Sequence, residues 1–466
     1  MSRAPAVVIA AAAAALAAGA GIGVRATYGA QVSGDEPQYL ISALSLADDG
    51  DLDVSDEIAS GSFEPFHEIP LDPQTRELAG GREVSPHDPL LPALLALPLA
   101  LGGWVAAKAV LALLAGALAG LTVWVALARF GARPRPAFLA GVVFGCSAPL
   151  AVYGNQVYPE VPAALCTLGA LAALTGRGRF GWAAAGVLVV ALPWLSIKYV
   201  PVAAVLAAGA VLRALGQGGR RAALALAAAL VLAGAAYIAA HLAWYGGVTP
   251  YASGDHFVAG EFTVIGRPDL GGRATRLAGL VTDARFGLVA WQPAWLLALP
   301  ALGSLARARP PGTWLLLSAL AAGWLNATFV ALTMHGWWWP GRQVVVVLPL
   351  AVVSVARWVS AGRGRAAALG ALGFAGMLSY AWVVAEGYAG HLTWIVDFFE
   401  TSDPLYRGVA AVLPDLRVDD TRTWILHVLW SVVLLALLAW GYRDARTRPA
   451  YRPGSAPDCG GPAGAV

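Results

Sequence analysis

Long apolar windows recur along this chain, separated by short polar or arginine-bearing turns. Runs rich in Ala, Leu and Val cover residues 5–24, 104–128, 136–153, 160–175, 180–195, 199–215, 222–245, 287–306, 313–334, 342–358, 366–386 and 422–441. Stretches near ~20 residues with few charges are what a helical bilayer crossing needs. The pattern therefore predicts an all-α polytopic membrane protein with about twelve transmembrane helices. "DPLLPALLALPLAL", residues 88–101, is apolar too, but it is short and holds three prolines. It predicts a re-entrant or interfacial helix rather than a crossing.

The polar stretches divide unevenly. The largest is the 25–103 loop, opened by "QVSGDEPQYLISALSLADDGDLDVSDE" at 31–57; the 246–286 loop, the "HGWWWPGR" turn and the 387–421 loop follow. Residues 1–442 read as a single transmembrane domain and 443–466 as a disordered cytoplasmic tail. Of the 466 residues 58% are hydrophobic and 13% charged, against about 25% charged in an average soluble domain. That leaves no room for a separate soluble domain and gives no nucleic-acid-binding surface.

Sidedness of charge sets the orientation. With 88–101 kept outside, one face receives Arg3, "RFGARPR", "GRGR", "RALGQGGRR", "ARAR", "RWVSAGRGR" and the Arg-rich tail, more than half of the 31 basic residues. Its only acids are Asp444 and Asp458; all other acids and the seven His lie on the opposite face or near helix ends facing it. Twelve crossings of a cell membrane with both termini cytoplasmic satisfy the rule, and counting 88–101 as a crossing breaks it. Residues 1–24 read as a retained anchor, since the run is long for a signal peptide and "TYGA" is a poor cleavage site. Cys146 and Cys166 fall in predicted helices and Cys459 in the tail, so no external disulfide framework exists.

The chemistry should then be extracytoplasmic, where there is no ATP and a substrate must arrive already activated. Transfer from a lipid phosphate to a hydroxyl needs a carboxylate to take a proton and cations on the departing phosphate. Asp35 and Glu36 are the acids of the first loop nearest the membrane. Pro37 suits a first helical position, which makes Glu36 the N-cap, and Leu40, Ala43, Leu44 and Ala47 then recur at the spacing of an interfacial helix. A helix cap or solvated acid explains Asp35 as well, and a dipole partner explains Glu36. Arg342 stands outside, where the charge rule gives it no reason to be, after Trp337, Trp338 and Trp339, which read as an aromatic belt. Lys198, one of two lysines, either snorkels or meets phosphate; Arg285 meets phosphate or pairs with Asp283. His87, Asp88 and Glu160 either line the same cavity or cap helices. His67 and His256 have no zinc spacing. Asp49, Asp51, Asp53 and Ser55 begin a calcium-loop spacing, but Val54 replaces the turn glycine and Ser60 the closing Glu. No metal site is assigned and no cofactor is required, although the acidic run leaves a divalent cation open.

Several of these stretches resemble one family in order. They are "GDEPQYL" with Asp35, Glu36 and Tyr39; "SPHDPLLPALLALPLAL", with His87 where Lys is common; "YPEVPAAL", with Glu160 where Asp is usual; "WLSIKYVP" with Lys198; and "GRQVVVVLPL" with Arg342. The chain resembles the GT-C superfamily of integral-membrane glycosyltransferases, closest to the branch of protein O-mannosyltransferases and lipid A aminoarabinose transferases. The resemblance covers about the first 215 residues and then the Arg342 segment. It implies a GT-C-like fold with juxtamembrane helices in the first loop. It also implies an inverting transfer of one sugar from a polyprenyl-phosphate donor to a hydroxyl of a glycan, lipid or protein acceptor. Asp35 and Glu36 would be catalytic, with Arg342, Lys198 and Arg285 on the donor phosphate. Tyr39, His87, Asp88, Glu160 and Trp338 would contact substrate. A secondary transporter or flippase for a lipid-linked or small polar substrate is the rival class; it calls for paired repeats, and the two halves show none.

Overall fold

The structure is a computed structural model that describes residues 2–250, 270–331 and 333–445. His256, Cys459 and the 446–466 tail lie outside the described residues. Helix α1 (Arg3–Ala20) leads into the first loop, which holds α2 (Glu36–Asp48), α3 (Ser55–Ser60) and a small antiparallel hairpin, β1 (Arg76–Glu77) against β2 (Glu83–Val84). Then come α4 (Leu90–Ala128), α5 (Pro134–Gly145), α6 (Leu150–Tyr153), α7 (Glu160–Thr175), α8 (Gly181–Leu195) and α9 (Val200–Tyr245). The second half contains α10 (Leu270–Ala274), α11 (Arg276–Thr282), α12 (Leu288–Trp291), α13 (Ala298–Ala308) and α14 (Thr313–Leu325). It closes with α15 (Leu348–Val359), α16 (Arg363–Tyr388), α17 (Pro404–Ala410) and α18 (Thr421–Asp444).

Among the described residues six helices are long and apolar enough to cross a membrane: α1, α4, α9 with the turn before it, α14 with the turn after it, α16 and α18. In α18 only 17% of the apolar window is buried inside the protein, leaving Val428, Val432 and Leu435 facing outward. In water that would be a continuous apolar patch; around a bilayer-spanning helix it is the surface that lipid covers. The chain is an all-α membrane protein.

Where helices break, the cause is local. Gly103 has φ +64°, a left-handed conformation, and with Gly102 it separates the 90–101 part of α4 from 104–128. The sequence reading drew the same division from length and proline content. Gly219, at φ +74°, breaks α9 next to its arginines. Other segments are more interrupted than their apolar pattern predicts. The 136–153 run stops at Gly145 and becomes helical again only as α6, after Pro149. The 287–306 run is cut at Gln292–Pro293 into α12, a 3₁₀ turn (Pro293–Leu297) and α13. The 342–358 run begins as a 3₁₀ turn, Arg342–Val344, and becomes α-helical only at Leu348. The 313–334 run closes in a π-turn, Asn326–Val330.

Small residues hold the bundle together. Ala6, Ala10, Ala14 and Ala18 form a fully buried stripe at every fourth position of α1. The stripe faces α5, where a Cβ on Gly145 would lie 3.0 Å from the Ala14 Cβ, and the adjoining face of α1 meets α4, where one on Gly116 would lie 2.6 Å from the Ala11 carbonyl. Between α13 and α18, a Cβ on Gly303 would run into the Leu438 carbonyl and one on Gly441 into that of Pro300. Such backbone approach is how helices associate where lipid is as apolar as leucine. Gly116→Leu and Gly303→Leu should each destabilise the detergent-solubilised protein by about 1–3 kcal/mol in thermal unfolding. Gly234→Leu, where a Cβ meets nothing, should leave the melting temperature unchanged.

Candidate functional site

Asp35 stands at the N-cap of α2, with Pro37 in the first turn, but its side chain caps nothing. Its Oδ2 instead accepts a hydrogen bond of 2.5 Å from Nη2 of Arg342, 307 positions away in the chain. Arg342 is aimed there by its backbone. Gly341 has φ +85°, and any Cβ on it would meet Leu288 at 2.9 Å and Pro149 at 3.1 Å, so only glycine fits before the Arg342 turn. The Nε of Arg342 donates to Oε1 of Glu160 at 3.2 Å, and Nζ of Lys198 donates to the same oxygen at 2.6 Å. Glu160 lies in the first turn of α7 directly after Pro159, where an acid also suits the helix dipole. Lys198 sits in a 3₁₀ turn (Ile197–Tyr199) between α8 and α9, whose carbonyl accepts from Asn326 at 3.1 Å.

Two carboxylates and two cations thus alternate as Asp35, Arg342, Glu160 and Lys198. Glu160 is wholly buried and Arg342 nearly so, whereas Asp35 and Lys198 keep 25% and 21% of their side chains exposed. The chain of charges is closed in the middle and open at both ends. Aromatic rings wall it. The Arg342 guanidinium lies 4.0 Å from the Tyr158 ring centre and 5.2 Å from that of Trp338, within cation–π range. Tyr39 stacks on His87 with centroids 4.2 Å apart and meets Tyr158 edge-on. Around these rings the Tyr158 hydroxyl, Oε2 of Glu160 and both His87 ring nitrogens are buried with no hydrogen-bond partner among the described residues. Buried polar atoms are rarely left so, and a polar ligand would satisfy them.

Burial pushes the Asp35 carboxyl up, but the Arg342 charge, then His87 and Lys198, outweigh it and hold the group down at about 2. Burial pulls His87 down to about 4, with Asp35 opposing and Arg342 assisting, so the ring is neutral at physiological pH. Glu36 differs from its neighbour. It is fully buried, Oε2 accepts from the Val157 amide at 2.8 Å, and burial raises its carboxyl against the opposing charge of Lys108. It ties the loop to the stretch before α7, while its Oε1 is buried with no hydrogen-bond partner among the described residues.

Two further expected residues lie elsewhere. Asp88 does not line the cluster. It is buried and accepts from Tyr237 Oη at 2.7 Å, His241 Nε2 at 3.1 Å and the Ile197 amide at 2.9 Å. Its role is to anchor the turn that carries Lys198. Arg285 pairs neither with Asp283 nor with the cluster. It donates to Asp415 at 3.0 Å, stacks on Phe399 and lines a different cavity of about 330 Å³. Asp283 is occupied by the amides of Arg285, Phe286 and Leu416. Of the expected aromatic belt, Trp337 is exposed and Trp338 covers Arg342. Trp339 is core, packed on Trp291, Trp394 and Phe398. Residues the sequence reading missed are Tyr158, which opens the quoted "YPEVPAAL" stretch but was given no role, and Lys108. The second was detectable as the other lysine of an arginine-rich chain; it is fully buried and donates to the Gln31 carbonyl at 2.9 Å.

Compared with protein-family models, with curated proteins and with solved structures, the chain matches none.

Removing one member of a buried ion pair costs about 3–5 kcal/mol, and an exposed one far less. Glu160→Gln should therefore lower the melting temperature much more than Asp35→Asn. Equal losses in side-by-side unfolding would contradict the closed-middle, open-end arrangement.

Proposed function

We propose that this chain is a GT-C-like membrane glycosyltransferase that moves a monosaccharide from a polyprenyl phosphate to an acceptor hydroxyl. The observation that carries the reading is the Asp35–Arg342 contact, which joins a carboxylate suited to proton abstraction to a cation suited to a phosphate. Twelve crossings, cytoplasmic termini and an extracytoplasmic first loop complete the reading.

Asp35 paired to Arg342 is a weak base. A donor phosphate offers the guanidinium a bidentate partner, so donor binding competes with Asp35 for Arg342 and frees the carboxylate at the open end of the cluster. The acceptor oxygen then attacks the anomeric carbon from the face opposite the phosphate. The sugar–phosphate C–O bond breaks with its electron pair on the phosphate, and the acceptor proton passes to Asp35. Arg342 and Lys198 hold the departing polyprenyl phosphate. Inversion follows from the single displacement. Two apolar clefts flank the cluster and suit a lipid tail. One of about 650 Å³ includes Leu288, Trp324 and Leu348 near the Arg342 turn, and one of about 400 Å³ includes Trp194, Ile197 and Val200 beside Lys198.

Broken helices at charged turns also suit a transporter, and transfer assays separate the two. With a labelled polyprenyl-phosphate sugar, Asp35→Asn should fold normally yet lose about 10²–10⁴-fold in rate, the usual cost of removing a general base. Arg342→Ala should abolish most transfer and Arg342→Lys should fall between, since lysine restores only a point charge. Near wild-type transfer by Asp35→Asn would end the reading.

The orientation has its own test. A cysteine at Ala79, in the exposed hairpin turn, should label with an impermeant thiol reagent on intact cells. One at Gly178, in the exposed "GRGR" turn, should label only after permeabilisation. The reverse pattern would put the cluster on the cytoplasmic face.

A further inference from the structure

The 48–57 stretch is so acidic that its carboxylates must be either used or neutralised. Two of them are used in folding the loop. Oδ1 of Asp51 accepts from the Asp53 amide at 2.9 Å and from Ser45 Oγ at 3.1 Å. Oδ1 of Asp53 accepts from the amides of Ser55 at 3.2 Å and Glu83 at 3.0 Å. Asp51 and Asp53 both belong to the spacing that resembled a calcium loop, and hydrogen bonding within the loop occupies them.

Three other acids converge instead. Asp49 closes α2, and Asp56 and Glu57 lie in the first turn of α3, with one carboxylate oxygen from each within 4.8 Å of the others. Asp49 follows Asp48 at the negative end of the α2 dipole, where an unneutralised acid is unfavourable. Glu57 supplies a second and independent indication. Only 3% of it is exposed, yet its Oε2 meets no hydrogen-bond donor among the described residues. A buried carboxylate oxygen without a donor, beside two more carboxylates, needs a proton or a cation.

We infer that Asp49, Asp56 and Glu57 form a binding site for a hard divalent cation such as calcium. Carboxylate oxygens are hard ligands that select such ions. Asp49 and Asp56 are exposed, so water completes the coordination on the open side. The ion joins the C-terminal end of α2 to α3, while the other end of α2 holds Asp35. Its effect is on the loop, and the inference stands whether or not the chain transfers sugars.

The test uses the full chain purified in detergent, treated with EDTA and then given about 1 mM calcium chloride, the range in which weak extracellular sites bind. Flow dialysis should find one calcium per chain, and the melting temperature should rise by about 1–3 °C. Asp56→Asn and Glu57→Gln should lose both the bound calcium and the rise. Glu57→Gln in EDTA should melt no lower than the wild type in EDTA, because the amide can donate to the remaining acids; a purely structural Glu57 would not behave so. Asp72→Asn, an exposed acid outside the cluster, should keep the full calcium response. If Glu57→Gln does not fold, the exposed Asp49→Asn carries the same comparison. No bound calcium in the wild type, or the same response in the cluster variants as in Asp72→Asn, would overturn the site.

Discussion

One oxygen of Glu160 accepts from two cations at once, in a place with no access to solvent. That carboxylate is the constraint around which the rest is arranged. Taking it out of water costs several kcal/mol, which only well-placed partners offset. Arg342 and Lys198 both come to the same oxygen, and each is brought by an irregular turn rather than a regular helix. Gly341 in its left-handed conformation sets the direction of Arg342, and the Asp88–Ile197 and Asn326–Lys198 hydrogen bonds set the Lys198 turn. Breaks that look like defects in an apolar helix pattern are the places where charge is delivered.

With Glu160 shared between both cations, neither is fully neutralised by it, and Arg342 keeps a second bond for Asp35. The result is graded. Glu160 is held permanently, while Asp35, at the quarter-exposed end, is the partner that an incoming anion displaces most cheaply. His87 is neutral beside them and adds no competing charge. In the proposed reaction, a balanced cluster with one replaceable partner would take up the donor phosphate without a large rearrangement of the bundle.

Much of this was legible in the sequence, for physical reasons that also mark the limit. Apolar windows locate helical segments because the bilayer imposes a length, and the short proline-bearing 88–101 run was separable from the helix that follows. Proline and glycine interruptions inside long apolar runs were not, since Pro293 and Pro149 change backbone geometry without changing hydropathy. Arg342 stood out because it is a cation on the face where the charge rule gives it no reason to be, and Asp35 because it is one of the two first-loop acids nearest the membrane. Glu36 looked equivalent to Asp35, but its complete burial depends on Val157, 121 positions away. Asp88 looked like a site residue, and its partners Tyr237 and His241 lie 149 and 153 positions along the chain. Pairings at that range leave no local pattern.

The glycine contact between α13 and α18 has a consequence for biosynthesis. α18 lends little buried apolar surface, so close backbone approach at Gly303 and Gly441 is what seats it. The same helix contributes His427, Ser431, Leu434, Leu435 and Leu438 to the wall of the 650 Å³ cleft. It is also the last helix of the described chain to leave the ribosome. Until it docks, the cleft is a lipid-facing groove open along one side, whereas Asp35, Glu160 and Lys198 have long since been synthesised. The charges precede the chamber, and the final helix encloses it.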